Sequence, residues 1–511
     1  MDNSLYQKVL KDLSDGVICS EDAVSLFELV KNEPIEKRCE LADRIYSEIG
    51  KELKFDIFCY SYLIQVKPEK KYVEELCSLI LYTDKLKWKE INFLFGQVFS
   101  ILFLNSELYD LKLVELNWKI LYKAYEICSK EMNLELEFIP ESERNQDLAI
   151  VITEQFLTEQ HGPTKTALDR CYVLQKIMNK RVLLINTAEA LSPEGEIPFF
   201  DIKYGNYKLE LLDNNTASWK GETFQFYQCE GIMPDIDEMC NLIKAVQRLK
   251  PSIIVGVGVS GILSGFINQM IPMVDIGLTQ SGCEITLVDY QVVDYNMLDA
   301  IEPLVKAMDK DMSHIIPGKF TFSLREQTEF CARADFGISD DTFVMAVVGG
   351  RLDYEMDEQF MSFLNDTLRD DMLVVVIGIC DTFESKLSRY PKLQGRMLNF
   401  GVCTDVLSRL ELCDLYVNPI RKGGGTSAVE AMFKGKPVVT VNYGDVAGIV
   451  GERFSCGNYM EMNLMINRYY EDKMFYKMQA KYARDTAAVY MDSETEFVRI
   501  IREYERLMKR Q

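Results

Sequence analysis

Asn418-Pro-Ile-Arg-Lys-Gly-Gly-Gly-Thr-Ser-Ala-Val-Glu-Ala-Met-Phe-Lys-Gly-Lys-Pro-Val-Val-Thr440 reads as a strand end, a basic pair, three glycines, a helix and a second buried strand. Such a strand–helix–strand unit builds a parallel α/β sheet. Three consecutive glycines cost backbone entropy and leave no Cβ between the main chain and a ligand, so they point to one. Thr426 and Ser427 stand where the helix begins. Its first N–H groups lack internal partners and carry partial positive charge, which suits a phosphate or diphosphate. Arg421 and Lys422 add full charges beside it. Ser427-x-x-Glu430 fits a capping box. A carboxylate on that turn can instead accept both hydroxyls of a ribose, and this is the role expected for Glu430. Gly424, Gly425, Thr426, Ser427 and Glu430 thus mark a site for the diphosphate and ribose of a nucleotide-linked donor.

The same alternation extends outward from this stretch. Short apolar runs recur at Leu148–Ile152, Val182–Ile185, Phe224–Tyr227, Ile253–Val257 and Ile285–Val288. The sheet pattern then lapses over Ala300–Phe320. It resumes at Phe343–Val348, Leu373–Ile377, Leu415–Val417 and Val438–Val441. The expected fold is α/β, with two Rossmann-like domains over 148–305 and 320–480 and a C-terminal helix over 481–511. Residues 1–140 read as an all-helical N-terminal domain for acceptor or oligomer contacts. There Val73, Leu76, Cys77 and Ile80 recur at helical spacing, as do Leu113, Leu116, Ile120, Ala124 and Ile127. Two tandem α/β domains leave a cleft between them for a ligand.

Composition excludes several classes. The 511 residues carry 57 basic and 79 acidic side chains, a formal charge of −22. That argues against a nucleic-acid partner. Fourteen cysteines are scattered without a C-x-x-C pair, as reduced thiols would be. With two histidines a zinc site is not expected. Met1-Asp-Asn-Ser-Leu5 is polar, without the apolar core of a signal peptide. The uncharged run Ser252–Val274 is long enough to span a bilayer, but its glycines read as a buried strand, a turn and a short helix. A cytoplasmic protein without a transmembrane segment is expected, and peripheral attachment at the inner membrane face stays open.

Val347-Val-Gly-Gly-Arg-Leu352 closes the first strand of the second α/β unit and aims Arg351 at the cleft, where a guanidinium matches phosphate geometry. Gly349-Gly-Arg-Leu352, Leu415-Tyr-Val-Asn-Pro419 and Gly423–Thr440 together resemble the donor half of a GT-B glycosyltransferase of the family 4 type. Gly-Thr-Ser-x-x-Glu and Gly444-Asp445 also resemble family 41, the protein-glycosylating group. The resemblance implies a nucleotide-sugar donor, uridine-linked by expectation. It implies Arg351 and Lys422 on the diphosphate and Glu430 on the ribose. It implies the base against the backbone near Phe400, Gly401 and Val402. Family 4 enzymes usually carry a glutamate where this chain has Lys422, and lysine there is closer to family 41. Inversion and retention therefore both stay open. A bacterial protein glycosyltransferase also places helices before its GT-B core, so a protein or glycan acceptor is expected, with homo-oligomer contacts through the helices as another use for them.

Thr158-Glu-Gln-His-Gly-Pro-Thr164 follows the first strand of the first α/β domain, and His161 there is read as catalytic or sugar-contacting. Lys422 is the second catalytic candidate. No cofactor and no metal requirement are expected, because helix dipole and basic residues can offset the leaving charge. Asp309-Lys-Asp311 reads as a solvated helix face rather than a metal motif, and His314 as a helical linker residue without a chemical role. Two other readings remain. Gly256-Val-Gly-Val-Ser-Gly261 with Asp275 would suit an NAD(P)-dependent oxidoreductase, and the chain could be a non-catalytic partner of an active glycosyltransferase.

Overall fold

The computed structural model describes residues 34–509, together with 7, 8 and 11, apart from 48, 51, 160, 191–208, 280–283, 322 and 325. The polar amino terminus, Cys19 and the start of the expected helical region lie outside these residues. Five helices follow, Ile35–Tyr46, Leu53–Val66, Lys70–Tyr82, Trp88–Leu104 and Leu111–Met132. Their apolar stripes set how they pack. Val73, Leu76, Cys77, Ile80, Leu113, Ile120 and Ala124 are all fully buried. That core does not stop at the helices. It continues through Ile150, Ile152, Ile185 and Ile254 on one face of the first sheet. Tyr125 packs on Phe266, with ring centroids 4.8 Å apart, and its hydroxyl accepts from Gln269 Nε2. The helical layer is therefore seated on the first sheet.

The first sheet comprises β1 (Asn145–Thr153), β2 (Arg181–Asn186), β3 (Thr216–Trp219), β4 (Glu222–Gln228), β5 (Pro251–Val257), β6 (Val274–Ile276), β7 (Tyr290–Asp294) and β8 (Ile315–Gly318). Their order is β3-β4-β2-β1-β5-β6-β7-β8, parallel except for the β3–β4 hairpin. The second comprises β9 (Phe343–Gly349), β10 (Met372–Gly378), β11 (Met397–Gly401), β12 (Leu415–Val417), β13 (Val438–Val441) and β14 (Ser455–Cys456). It runs β11-β10-β9-β12-β13-β14, all parallel. The order reverses between β1 and β5 and again between β9 and β12. Crevices open at the carboxyl ends of the strands at such points. The interior strands are apolar on both faces, as Val344–Val348 and Val374–Ile377 show by their burial.

Some elements depart from expectation. Ile285–Val288 is loop, and the strand begins two residues later at Tyr290. β8 lies within Ala300–Phe320, where the apolar alternation lapses. It is an edge strand, which tolerates Pro317. Asp309-Lys-Asp311 is a turn after the Leu298–Ala307 helix, with Asp309 at φ 54° and Asp311 capping Ser313. His314 packs on Tyr290 with rings tilted by 51° and centroids 4.7 Å apart, in the short turn just before β8. The described cysteines form no disulfide with one another. No helix among the described residues is long and apolar enough to cross a membrane.

The last helix, Ser493–Met508, returns to the first sheet. Phe497, Ile500, Ile501 and Tyr504 are buried against it, and Arg170 lies 5.0 Å from the Phe497 ring. Truncating Phe497 to alanine removes a fully buried ring, for which a loss of about 3–5 kcal/mol is expected in chemical unfolding. A loss below about 1 kcal/mol would contradict this docking.

Candidate functional site

The site is built where β9 and β12 diverge. β9 ends at Gly349, and Gly378 at the end of β10 presses on it. A Cβ on Gly378, at φ 126°, would lie 1.9 Å from Gly349 O. The chain then turns outward, so that Arg351 precedes the short helix Leu352–Glu355 with its side chain exposed. β12 leads to Asn418 and the basic pair.

Arg421 turns inward. Its Nη1 is 2.6 Å from Glu355 Oε2, Nε donates to Asn418 Oδ1, and Nη2 donates to Val348 O and Tyr416 OH. Burial alone would depress its pKa, but Tyr416 and Glu355 hold it above the ordinary value. Burial likewise pushes the Glu355 carboxyl up, and Arg421 and Arg351 outweigh that and hold it down. Arg421 is therefore an internal brace, not one of two cations offered to a ligand. This also accounts for two of the three glycines. Gly424, at φ 100°, lies against the Arg421 guanidinium, where a Cβ would come within 2.6 Å. A Cβ on Gly425 would meet Ile449 at 2.6 Å. Gly423 faces the cleft, 3.3 Å from Arg351 Nη2 by the same measure.

The helix runs Gly425–Phe433 with Gly424 as its N-cap. Ala428 N closes the first turn onto Gly424 O. The N–H groups of Gly425, Thr426 and Ser427 therefore open the helix ahead of its first internal bond. The Ser427 side chain does not cap it. Its hydroxyl bonds Tyr416 OH at 2.8 Å and Gly424 O at 3.0 Å. Glu430 is equally outside a capping box. Its Oε1 is 3.2 Å from Lys165 Nζ, and both side chains are largely buried.

Lys165 comes from the first α/β unit, on the Gly162–Tyr172 helix that follows β1. Sequence reasoning passed over it, since a lone lysine on a helix carries no motif. His161 precedes the same helix. Its Nδ1 is 3.0 Å from Thr164 Oγ1, which also accepts from Leu157 N. Burial, then the charges of Arg351 and Lys165, lower its pKa from 6.5 to about 4. Arg351, Lys165, Glu430 and His161 thus meet across the cleft. Phe400 instead turns toward Phe336, centroids 4.4 Å apart. Gly401, at φ 63°, and the exposed Val402 present backbone at the carboxyl end of β11.

The glycine turn of the first sheet is closed differently. Ser260 N donates to Glu154 Oε1 at 2.8 Å, Gly261 N donates to the same oxygen, and Leu263 N donates to Glu189 Oε1. Asp275 accepts from Val259 N within the turn. The chain's own carboxylates fill the position a dinucleotide pyrophosphate would need, which removes the oxidoreductase reading. Their pKa values are raised by burial, to about 8 for Glu154 and about 7 for Glu189.

Residues 333–486 match the family model described as "Glycosyl transferases group 1". The chain therefore carries a glycosyl transferase group 1 domain. It spans the whole β9–β14 sheet with Arg351, Lys422 and Glu430, while His161 and Lys165 lie outside it. Among solved structures, a glycosyltransferase from Rickettsia africae ESF-5 is similar over 72% of this chain and 100% of its own, with TM-score 0.53 and 10% identity. A mutant O-GlcNAc transferase from Thermobaculum terrenum is similar over 99% of this chain and 98% of its own, with TM-score 0.54 and 12% identity. These likenesses establish the GT-B arrangement of the two sheets behind a helical layer. No curated protein matches the chain.

Removing Arg421 leaves Glu355 buried beside a half-satisfied loop. Arg421→Met should cost about 3–5 kcal/mol in chemical unfolding, and Glu355→Gln in the same chain should restore part of it. Strictly additive losses would contradict the pairing.

Proposed function

We propose that the protein transfers a sugar from a nucleoside-diphosphate donor, uridine-linked, to a protein or glycan acceptor. The observation that carries the reading is that Arg351 and Lys422 flank the open end of the Gly425–Phe433 helix, ahead of a carboxylate, Glu430, that Lys165 of the first α/β unit reaches from across the cleft. Gly425 and Thr426 would give the diphosphate their N–H groups, with Arg351 and Lys422 alongside. Glu430 would take the ribose hydroxyls. β11 lies two strands from β9, about 10 Å away, a span that suits a base resting on the backbone at Phe400–Val402. Departure of the diphosphate is the demanding step, and fixed donors aimed at the developing charge lower its barrier. Those donors can serve without a metal ion.

His161 stands on the acceptor side with Nδ1 engaged by Thr164. Nε2 then remains for the acceptor hydroxyl or the donor sugar. Burial, then the cationic neighbours, keep the ring neutral at ordinary pH, so Nε2 offers a lone pair to the acceptor hydroxyl's proton. The protein-acceptor reading rests on layout, since the helices and both sheets together follow the O-GlcNAc transferase structure along nearly its whole length.

Titration calorimetry with uridine diphosphate tests the donor site, and an absence of heat with any nucleoside diphosphate would favour a non-catalytic partner. Glu430→Gln should weaken uridine diphosphate about tenfold, roughly 1.4 kcal/mol. Removing both ribose hydroxyls from the ligand should weaken it similarly, and the two losses should not add. Additive losses would free Glu430 from the ribose.

The two histidines give two imidazole signals by NMR, which a His314→Gln variant assigns. The folded chain protonates His161 near pH 4 and the unfolded chain near 6.5. Stability from the neutral ring is complete above pH 6.5 and is lost as pH falls toward 4. The His161 signal should therefore stay at its neutral position from pH 8 to 5.5. A midpoint near 6.5 would contradict its placement.

A further inference from the structure

Lys422 and Arg351 have a second set of neighbours, from an unexpected direction. The Trp88–Leu104 helix ends over the donor side of the cleft. Lys422 Nζ lies 5.5 Å from the centre of the Phe103 ring and 5.2 Å from that of Tyr109. The Arg351 guanidinium lies 5.1 Å from the same Phe103 ring. Phe103 in turn stacks on Phe99, centroids 6.2 Å apart and planes 20° from parallel, and Phe99 packs on Phe95. Through the core shared by these helices and the first sheet, that ladder is fixed to the acceptor-side unit. Lys422 and Arg351 belong to the other unit.

The kind of contact matters. Arg421, one residue before Lys422, is neutralised by Glu355. The contacts of the Lys422 ammonium, among the described residues, are with aromatic faces. A carboxylate partner of its own would cancel the charge needed by a leaving diphosphate. Arg351 shares the one Glu355 carboxylate with Arg421, 3.2 and 2.6 Å away, so that trio keeps a net positive charge. A ring quadrupole holds a cation in place and leaves its charge intact. Phe103 lies against both Lys422 and Arg351, so one ring links the two cations, with Glu355 holding Arg351 from the other side.

We propose that Phe103, with Tyr109, is a positioning residue for the transfer reaction. On this proposal the helical layer supplies the aromatic wall that holds Lys422 and Arg351, charged and oriented, for the leaving nucleoside diphosphate. The proposal rests on the donor-site reading above. It makes the helical layer part of the catalytic unit rather than a detachable acceptor or oligomer module. Tyr109 completes the wall, its ring centre 5.2 Å from Lys422 Nζ.

The test compares Phe103→Leu, which keeps apolar bulk and removes the ring face, with Phe103→Tyr and Phe103→Trp, which keep a ring. Uridine diphosphate affinity, nucleotide release from a uridine-linked sugar and Tm are measured for each full-length chain. Phe103→Leu should lose about five- to tenfold in affinity, with a larger loss in turnover, at a Tm close to the parent's. Tyr and Trp should stay within about twofold. Tyr109→Leu should show the same loss in smaller measure, which covers the case of a Phe103 variant that folds poorly. Equal behaviour of Leu, Tyr and Trp would reduce Phe103 to a packing residue and overturn the proposal. Failure of the parent chain to bind any nucleoside diphosphate would instead strike the donor-site reading itself.

Discussion

A guanidinium shut away from water organises the donor side. Arg421 ties the end of β9, through Val348 O and Glu355, to the end of β12, through Asn418 and Tyr416. Burying such a charge is tolerable because nearly every donor on it finds an acceptor, two of them on groups that raise its proton affinity. The consequences spread from there. The loop after it must pack flat on the guanidinium, which admits glycine at 424. Lys422 is left facing the cleft. Glu355, held ionised, also draws Arg351 to the rim, 3.2 Å away. One internal ion pair thus separates the cations that brace the fold from those offered to a ligand.

The second constraint lies between the units. Lys165 meets Glu430, Arg351 and Lys165 bear on His161, and Phe103 faces Lys422 and Arg351. Each contact pairs a residue seated on the first sheet with one from the second, or joins charges from both. An anionic ligand entering this space would satisfy several positive groups at once. It would also offset the positive charges that, after burial, hold the His161 pKa down. Donor binding and acceptor-side chemistry are thereby linked through electrostatics, without any single residue spanning the cleft.

Much of this was legible in the sequence, unevenly. Buried parallel strands such as Phe343–Gly349 and Met372–Gly378 announce themselves as unbroken apolar runs rich in valine. Edge strands do not. β8 contains a proline, and β14 is two residues long. The glycine-rich stretch correctly located the helix opening, but its three glycines looked like a ligand signal when two of them answer to Arg421 and Ile449. Neighbouring Arg421 and Lys422 are indistinguishable as letters. Only the position of Glu355, 66 residues away, decides which one is internal. Lys165 and Phe103 were invisible for the same reason. Each lies hundreds of residues from its partner and belongs to a helix whose local pattern is ordinary.

The central claim is that a nucleoside diphosphate rests on the opening of the Gly425–Phe433 helix beside Arg351 and Lys422. A crystal structure with uridine diphosphate measures this directly. The account predicts diphosphate oxygens about 3 Å from the N–H groups of Gly425 and Thr426, with Lys422 and Arg351 alongside and Glu430 on the ribose. A nucleotide bound away from that helix, or a cleft that leaves those N–H groups covered by protein, would contradict it.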